Sequence, residues 1–270
     1  MSRQQRRQYK RELLKIGERV SRVGLPVPSA QEPVMGLAAV IREKLYERRN
    51  VHRASEAAAI AAHAFDISLK NNPSEIKIAC KKDCSFCCHT FVSVLAPEVF
   101  RLATIIRREY SAVDIQKLIE RCGVSANLDL NARHGKKLPC PLLAEPTTNA
   151  GCSVYSHRPL VCRKAVSVSL EACRVEYNGG EVGTQMPFVN QSLFSDANLA
   201  LHLGLHSCSL SERSYELSAA LRIALTQRNA EQLWLEGNDI FANVYSEPAP
   251  QGFADMISRL ASDLAGLPGD

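Results

Sequence analysis

The stretch CKKDCSFCCH, residues 80–89, places four cysteines within nine positions, and two of them are adjacent. Thiolate is a preferred ligand both of zinc and of iron–sulfur clusters. The adjacent pair, Cys87 and Cys88, is poorly suited to a disulfide, because neighbouring residues hold the two sulfurs in a strained geometry. The pattern therefore favours metal binding over disulfide formation.

More cysteines follow this stretch in the chain. Of the ten cysteines, nine lie between residues 80 and 173. Cys122 and Cys208 stand apart and are expected to be buried free thiols. The remaining eight are the candidate metal ligands: Cys80, Cys84, Cys87, Cys88, Cys140, Cys152, Cys162 and Cys173. The first four of these cysteines lie at 80–88 and the other four at 140–173. We expect these two groups to meet at one centre, where bound metal would cross-link a loop-rich region.

The spacing leaves the metal open. Only Cys84 and Cys87 have the C-x2-C separation of a zinc ribbon. Eight cysteines could hold two zinc ions, one iron–sulfur cluster with spare thiols, or one of each. Zinc and an iron–sulfur cluster therefore both remain candidate cofactors.

The composition is that of a globular protein with a sizeable core. The chain has 270 residues, of which 46% are hydrophobic, and a mean hydropathy of −0.13. A chain of this size does not need disulfides for stability. It opens without a secretory signal and has no run of the roughly 20 apolar residues that span a bilayer. We therefore expect a cytoplasmic protein without membrane insertion, in a reducing compartment where clustered cysteines more often bind metal.

The positive charge is concentrated at the start of the sequence. Residues 1–22 hold eight basic and two acidic side chains, a net charge of +6, within an overall charge of +5. Such an arm can contact nucleic acid or an acidic protein. The alternative interpretation is a solvated helix face.

Apolar periodicity predicts a mainly α protein, built as helices around an irregular, cysteine-rich metal-binding centre. Predicted helices cover residues 9–23, 34–48, 53–70, 96–110, 112–123, 195–206, 211–229, 230–245 and 253–266. A short strand is predicted within 90–95, and residues 124–190 show little periodicity. Three regions are expected: a basic N-terminal helix and linker at 1–33, helices plus the metal-binding domain at 34–194 with its core at 80–175, and a C-terminal helical region at 195–270.

A combination of motifs resembles the YkgJ-type cysteine-cluster family, whose CxxCxxCC domain is described as zinc- or iron-chelating. The matching residues are Cys84, Cys87, Cys88, Pro97, Glu98, Cys140, Pro141, Cys152, Tyr155, Arg158, Pro159, Cys162 and Arg163. The resemblance covers roughly residues 80–175. One departure is that three residues, not two, separate Cys80 from Cys84. The resemblance implies a metal site.

Two arginines flank a candidate ligand within the matching segment. Arg158 and Arg163 lie on either side of Cys162, and guanidinium groups there would offset thiolate charge and donate to sulfur or to the backbone. We therefore predict that both support the bound cofactor.

Whether the protein is an enzyme is left open by the sequence. The family is similar in its cysteine pattern to a flagellin lysine N-methylase, which suggests methyl transfer or redox chemistry as an alternative function. Cys80, Cys84, Phe86 and Cys87 also resemble the C-x3-C-x-aromatic-C signature of radical S-adenosylmethionine enzymes, so S-adenosylmethionine is a candidate cofactor. The predicted helices and loops after Cys88 lack the strand–helix alternation of those barrels.

A further alternative is a zinc-stabilised module that binds nucleic acid through the basic arm. No catalytic nucleophile or general base can be named.

The histidines give weaker signals. His89 follows the vicinal pair and is expected to face solvent. His202 and His206 share a helix face, so they could bind a metal together with Cys208.

Overall fold

The computed structural model describes residues 31–81, 83–126, 128, 130–144, 150–180 and 185–265. The predicted helix at 9–23 and the basic arm lie outside these residues. The described chain is mainly α, which confirms the predicted fold class, and eleven α-helices occur within it. They are α1 (Gln31–Tyr46), α2 (Arg53–Asn71), α3 (Ala96–Glu109), α4 (Ala112–Ser125), α5 (Leu130–Lys136), α6 (Leu160–Lys164), α7 (Leu170–Tyr177), α8 (Phe188–Ser207), α9 (Leu217–Thr226), α10 (Ala230–Leu235) and α11 (Phe253–Ala265).

Two helices next to the cysteine segment show why these residues are helical. The alanine-rich sequence of α2 favours helix and lets neighbouring helices approach closely, and its alanines at 54, 57, 58, 61, 62 and 64 are buried. In α3, Pro97 occupies the first turn, where no backbone donor is needed. One face of α3 is apolar and packed in the core, since Val99, Ala103 and Ile106 are buried.

A two-stranded antiparallel sheet joins distant parts of the chain. Strand β1 (Ser93–Leu95) pairs with β2 (Ser214–Glu216), with Val94 opposite Tyr215. The β1 prediction is confirmed, whereas the helix predicted over 211–229 is wrong at its start. Tyr215 is buried in the core, and pairing with β1 outweighs local helix propensity.

One hydrophobic core takes residues from both sides of the cysteine segment. It includes Ile41 and Phe65 from the first two helices and Leu201 from α8. Helix α8 packs against α1 and α2, and α3 packs against α2 and α9. The predicted boundary between residues 194 and 195 falls inside α8.

The segment at 124–190 contains more helix than its low periodicity predicted. Helices α5, α6 and α7 form within it, and α8 begins at Phe188 instead of residue 195. The helix predicted over 230–245 is shorter, since α10 ends at Leu235. Among the described residues, none of the helices combines the length and the apolarity needed to cross a membrane.

Candidate metal centre

A cleft of about 660 Å³ lies where the cysteine-bearing loops meet. Seven of the eight predicted ligands line it: Cys84, Cys87, Cys88, Cys140, Cys152, Cys162 and Cys173. Aromatic side chains, including Phe86 and Tyr177, form part of the same wall. The structure thus brings most of the candidate thiols to one concave site.

The first cysteine segment is shaped by tight turns. The Cys84 amide donates to the Lys81 carbonyl oxygen (3.1 Å), and the Cys88 amide donates to that of Ser85 (2.9 Å). A 3₁₀ helix covers Phe86–His89, so both members of the vicinal pair lie within one turn.

The prediction that His89 faces solvent is wrong. His89 is buried, its Nδ1 lies 3.1 Å from the Ser85 carbonyl oxygen, and its ring meets Tyr177 edge-on at 5.2 Å. An imidazole can pack against an aromatic ring while satisfying its polar atom locally, and here it steadies the turn that carries the thiols.

The second cysteine segment is joined to the first by backbone hydrogen bonds. The Cys140 amide donates to the Cys88 carbonyl oxygen (2.7 Å). Cys152 forms an antiparallel bridge with Leu143, and the Ser153 amide donates to the Leu142 carbonyl oxygen (2.9 Å). Segments distant in sequence therefore run side by side at the cleft.

Glu98 holds the turn that precedes Cys162. Its buried carboxylate accepts hydrogen bonds from the Leu160 amide (2.8 Å) and the Leu95 amide (3.0 Å). Desolvation raises the pKa of Glu98, against the effect of these two bonds. The first turn of α3 is thereby fastened to the first turn of α6, which carries Cys162.

The two predicted arginines have different positions. Arg158 lines the cleft and stacks on Tyr155, with its guanidinium carbon 3.8 Å from the ring centroid. Arg163 is buried and pairs with both carboxylate oxygens of Asp66 on α2. It also donates to the backbone oxygens of Ser156 and Arg158, both at 2.8 Å. Arg163 thus holds the loop before Cys162 and is not part of the cleft lining.

The two vicinal thiols, Cys87 and Cys88, change each other's pKa. A hydrogen bond between them lowers the pKa of Cys87 to about 7, with a smaller contribution from the charge of Arg158, and raises that of Cys88. The pair therefore loses one proton readily and the second with difficulty.

Burial raises the pKa of three other thiols of the cleft, whereas hydrogen bonding lowers that of Cys87. Burial raises the pKa of Cys140 to about 12 and is the largest cause of the raised pKa of Cys152 and Cys162. These thiols are neutral near pH 7, so a metal that binds them must displace their protons.

The other three cysteines are not part of the cleft lining. Cys80 is exposed and outside the cleft lining, and its Sγ accepts a hydrogen bond from the Ser167 amide (3.2 Å). Cys122 is fully buried, as predicted, and burial raises its pKa to about 12. Cys208 is a half-buried free thiol whose Sγ lies 3.9 Å from the Arg42 carbonyl oxygen.

The histidines of α8 share a carboxylate partner. His206 Nδ1 lies 2.6 Å from one oxygen of Glu212, and His202 Nδ1 lies 3.8 Å from the other. The Cys208 thiol is directed to Arg42 instead. The arrangement predicted for these two histidines and Cys208 does not form.

The cysteine thiols of the cleft are suitable donors for zinc or iron, although their side chains do not surround a common point. Within the described ranges, no group of three or more His, Cys, Asp or Glu side chains is positioned to hold a metal ion. The thiols share one cleft and can exchange among staggered χ1 positions. The chemistry of the residues therefore fits either cofactor.

Sequence reasoning did not identify the positioning role of three residues at this site. Glu98 and Asp66 hold the loop before Cys162. Arg133, which is 1% exposed, donates to the Thr90 carbonyl oxygen (3.0 Å) and pairs with Glu216 (3.1 Å). Glu98 was visible within the matching motif, but a charged residue in sequence gives no sign of a distant backbone partner.

The comparison with protein families confirms the resemblance to the cysteine-cluster family. A family model named CxxCxxCC and described as "Putative zinc- or iron-chelating domain" matches residues 79–181. The match spans the eight candidate cysteines and both arginines. Searches of curated proteins and of solved structures gave no significant match.

Proposed function

We propose that this chain is a metal-binding protein whose CxxCxxCC domain, at residues 79–181, holds zinc or an iron–sulfur cluster through cysteine thiolates. The observation that carries this proposal is the convergence of seven cysteines, from separate segments, on one cleft. The candidate ligands are Cys80, Cys84, Cys87, Cys88, Cys140, Cys152, Cys162 and Cys173. Bound metal would supply further cross-links between these loops.

Arg158 would support the bound metal. Several thiolates create a net negative site, and a guanidinium at the cleft wall offsets that charge. Its charge lowers the pKa of Cys87, after the larger effect of the hydrogen bond from Cys88. Arg163 would act at a distance, by holding the loop through its pair with Asp66.

The test is metal analysis of the protein purified without oxygen. Iron, zinc and acid-labile sulfide would be measured together with an absorption spectrum. Iron with sulfide and visible absorption would identify a cluster, whereas zinc in a colourless protein would identify a zinc site.

Four single variants to serine should lose metal and stability: Cys84→Ser, Cys87→Ser, Cys140→Ser and Cys162→Ser. The matched control is Cys208→Ser, which changes a free thiol outside the cleft. Full metal content and stability in all four variants would refute the proposal.

A second candidate function is a cluster-dependent enzyme, and the size of the cleft favours it. A volume of about 660 Å³ is far more than one metal ion fills and lies in the range of small-molecule sites. Methyl transfer would require binding of S-adenosylmethionine. Calorimetry on the metal-loaded protein tests this, since neither heat nor a spectral change on adding that cofactor would eliminate the methyl-transfer form.

A further inference from the structure

The candidate cysteines differ in how they relate to the hydrophobic core. Cys140, Cys152 and Cys162 pack against the core. Cys88 joins them, because its carbonyl oxygen accepts the hydrogen bond from the Cys140 amide (2.7 Å). We refer to these four as the inner group.

Unlike Cys140, Cys152 and Cys162, the remaining four cysteines are not among the side chains that pack against the core. Cys80 and Cys87 are the two exposed cysteines of the chain. Cys173 lies on α7, which packs against the 3₁₀ helix that carries Cys87. Tyr177 of α7 meets the ring of Phe86 edge-on at 5.6 Å and fixes this contact. We refer to Cys80, Cys84, Cys87 and Cys173 as the outer group.

Backbone contacts join the segments of two members of the outer group, Cys80 and Cys173. The Ala79 amide donates to the Ser167 carbonyl oxygen (2.8 Å), and the Ser167 amide donates to Cys80 Sγ. Ser169 then caps α7 by accepting from the Ala172 amide (3.1 Å). The segment just before Cys173 is therefore tied to the segment that carries Cys80.

The electrostatic neighbours of most thiols follow this division, and Cys87 interacts with members of both groups. Burial is the largest cause of the raised pKa of Cys80, and charges on Cys84, Cys87 and Cys173 raise it further. Burial likewise dominates at Cys162, where charges on Cys140 and Cys152 contribute. Cys87 also raises the pKa of Cys162, so the two groups adjoin at the vicinal pair.

We propose that the eight cysteines form two four-thiolate sites, an inner site packed on the core and an outer site that exchanges its metal with the solvent. This inference rests on the proposed metal-binding function and specifies how the ligands are divided. Four thiolates complete a tetrahedral zinc site or hold one iron–sulfur cluster. Successive side chains leave the backbone in different directions, so Cys87 and Cys88 can serve different sites.

The test uses Zn²⁺ alone as the probe on the reduced full-length protein. Two zinc ions should bind per chain, and a chromophoric chelator should remove them in a fast and a slow phase. Cys84→Ser and Cys173→Ser should abolish the fast phase and leave one slowly released zinc. Cys140→Ser and Cys162→Ser should abolish the slow phase, whereas the control Cys208→Ser should keep both.

The outcomes separate this inference from the proposed function. Two results would overturn the division and leave metal binding intact. In the first, the wild-type protein binds a single zinc ion, and variants of both groups lose it. In the second, all zinc is released in one kinetic phase. No zinc binding by the wild-type protein would overturn the two-site division, and the proposed function would then be decided by the iron and sulfide content of the protein purified without oxygen. If inner variants do not fold, the outer variants still decide, since the division requires them to keep one slow zinc.

Discussion

At the scale of single residues, the Glu98 carboxylate links the start of α3 to the loop that carries Cys162. Replacing it in Glu98→Ala leaves the buried amides of Leu95 and Leu160 without acceptors. Because unsatisfied buried donors are costly, we expect the free energy of unfolding to fall by about 1–3 kcal/mol for each amide left unpaired. Urea unfolding measures the change.

Glu109→Ala is the matched control for this substitution, since Glu109 ends the same helix and is 44% exposed at its side chain. Its unfolding free energy should change by less than about 0.5 kcal/mol. Equal losses in the two variants would show that Glu98 does not fasten the loop.

Glu212 gives a prediction about pH. Burial alone would raise the pKa of Glu212, but its interactions with the nearby His202 and with the hydrogen-bonded His206 outweigh burial and bring the pKa below its usual 4.5. A lowered carboxyl pKa stabilises the fold above the unfolded value, and this stabilisation is lost as pH falls through the folded value.

The variant Glu212→Gln should therefore be less stable than the wild-type protein near neutral pH, by about 1.5–3 kcal/mol. The difference should shrink as pH falls below 4.5. Urea midpoints measured across this range provide the check. A difference that stays constant with pH would exclude the carboxylate as its source.

At the level of single residues, the sequence predicted the cleft thiols better than the residues that hold the thiol-bearing loops in place. Cysteines are rare enough that clustering is informative, and seven candidates line one cleft. Asp66, Glu98 and Arg133 went unrecognised because each acts on backbone or side-chain partners far away in sequence. Common charged residues give no local signal of such partners.

At the scale of helices, Gly204 sets how closely α8 approaches α1. A Cβ at this position would overlap Cγ2 of Ile41 and stand 3.1 Å from its Cβ. Ile41 is completely buried and β-branched, so it has little room to move. The absence of a side chain at Gly204 therefore lets the two helices pack closely.

We expect Gly204→Ala to lower the free energy of unfolding by about 1–3 kcal/mol through overpacking. Gly135→Ala is the control, because Gly135 is exposed in α5 and has no atom within 4 Å of the added Cβ. Alanine there should stabilise the helix by up to about 1 kcal/mol. Thermal or urea unfolding compares the two, and equal effects would contradict the close approach.

Helices were predicted correctly where apolar periodicity is strong, and incorrectly where contacts between distant segments determine the secondary structure. Helices α2 and α3 lie where the pattern places them, since their apolar faces repeat over several turns. At Ser214–Glu216, pairing with β1 replaces the predicted helix. The short helices α5, α6 and α7 have too few turns for a periodic signal.

At the scale of the whole molecule, the helical frame and the thiol-bearing loops are held by different forces. The core joins α1, α2, α3, α8 and α9 through apolar contacts. The loops around Cys140 and Cys152 bury a few apolar side chains, such as Leu142 and Val154, and are otherwise held by hydrogen bonds between backbone groups. The two parts should therefore respond differently to loss of metal.

Removing metal with a chelator should expose the loops and spare the frame. In hydrogen-exchange mass spectrometry, the amides of Cys140, Ser153 and Leu160 should lose protection, whereas those within α2 and α3 keep theirs. Cys208→Ser with metal bound serves as a control for thiol loss alone. Equal loss of protection in α2 would show that the frame itself depends on metal.

The shared core also bears on whether the family segment can be cut out and studied alone. Residues 79–181 include α3 but neither α2 nor α9, against which α3 packs. An excised fragment would expose the face formed by Val99, Ala103 and Ile106 to water, and exposed apolar faces of this kind lead to aggregation. We therefore expect that the cysteine domain, although a unit of sequence, does not fold on its own, and that its thiols are best studied in the 270-residue chain.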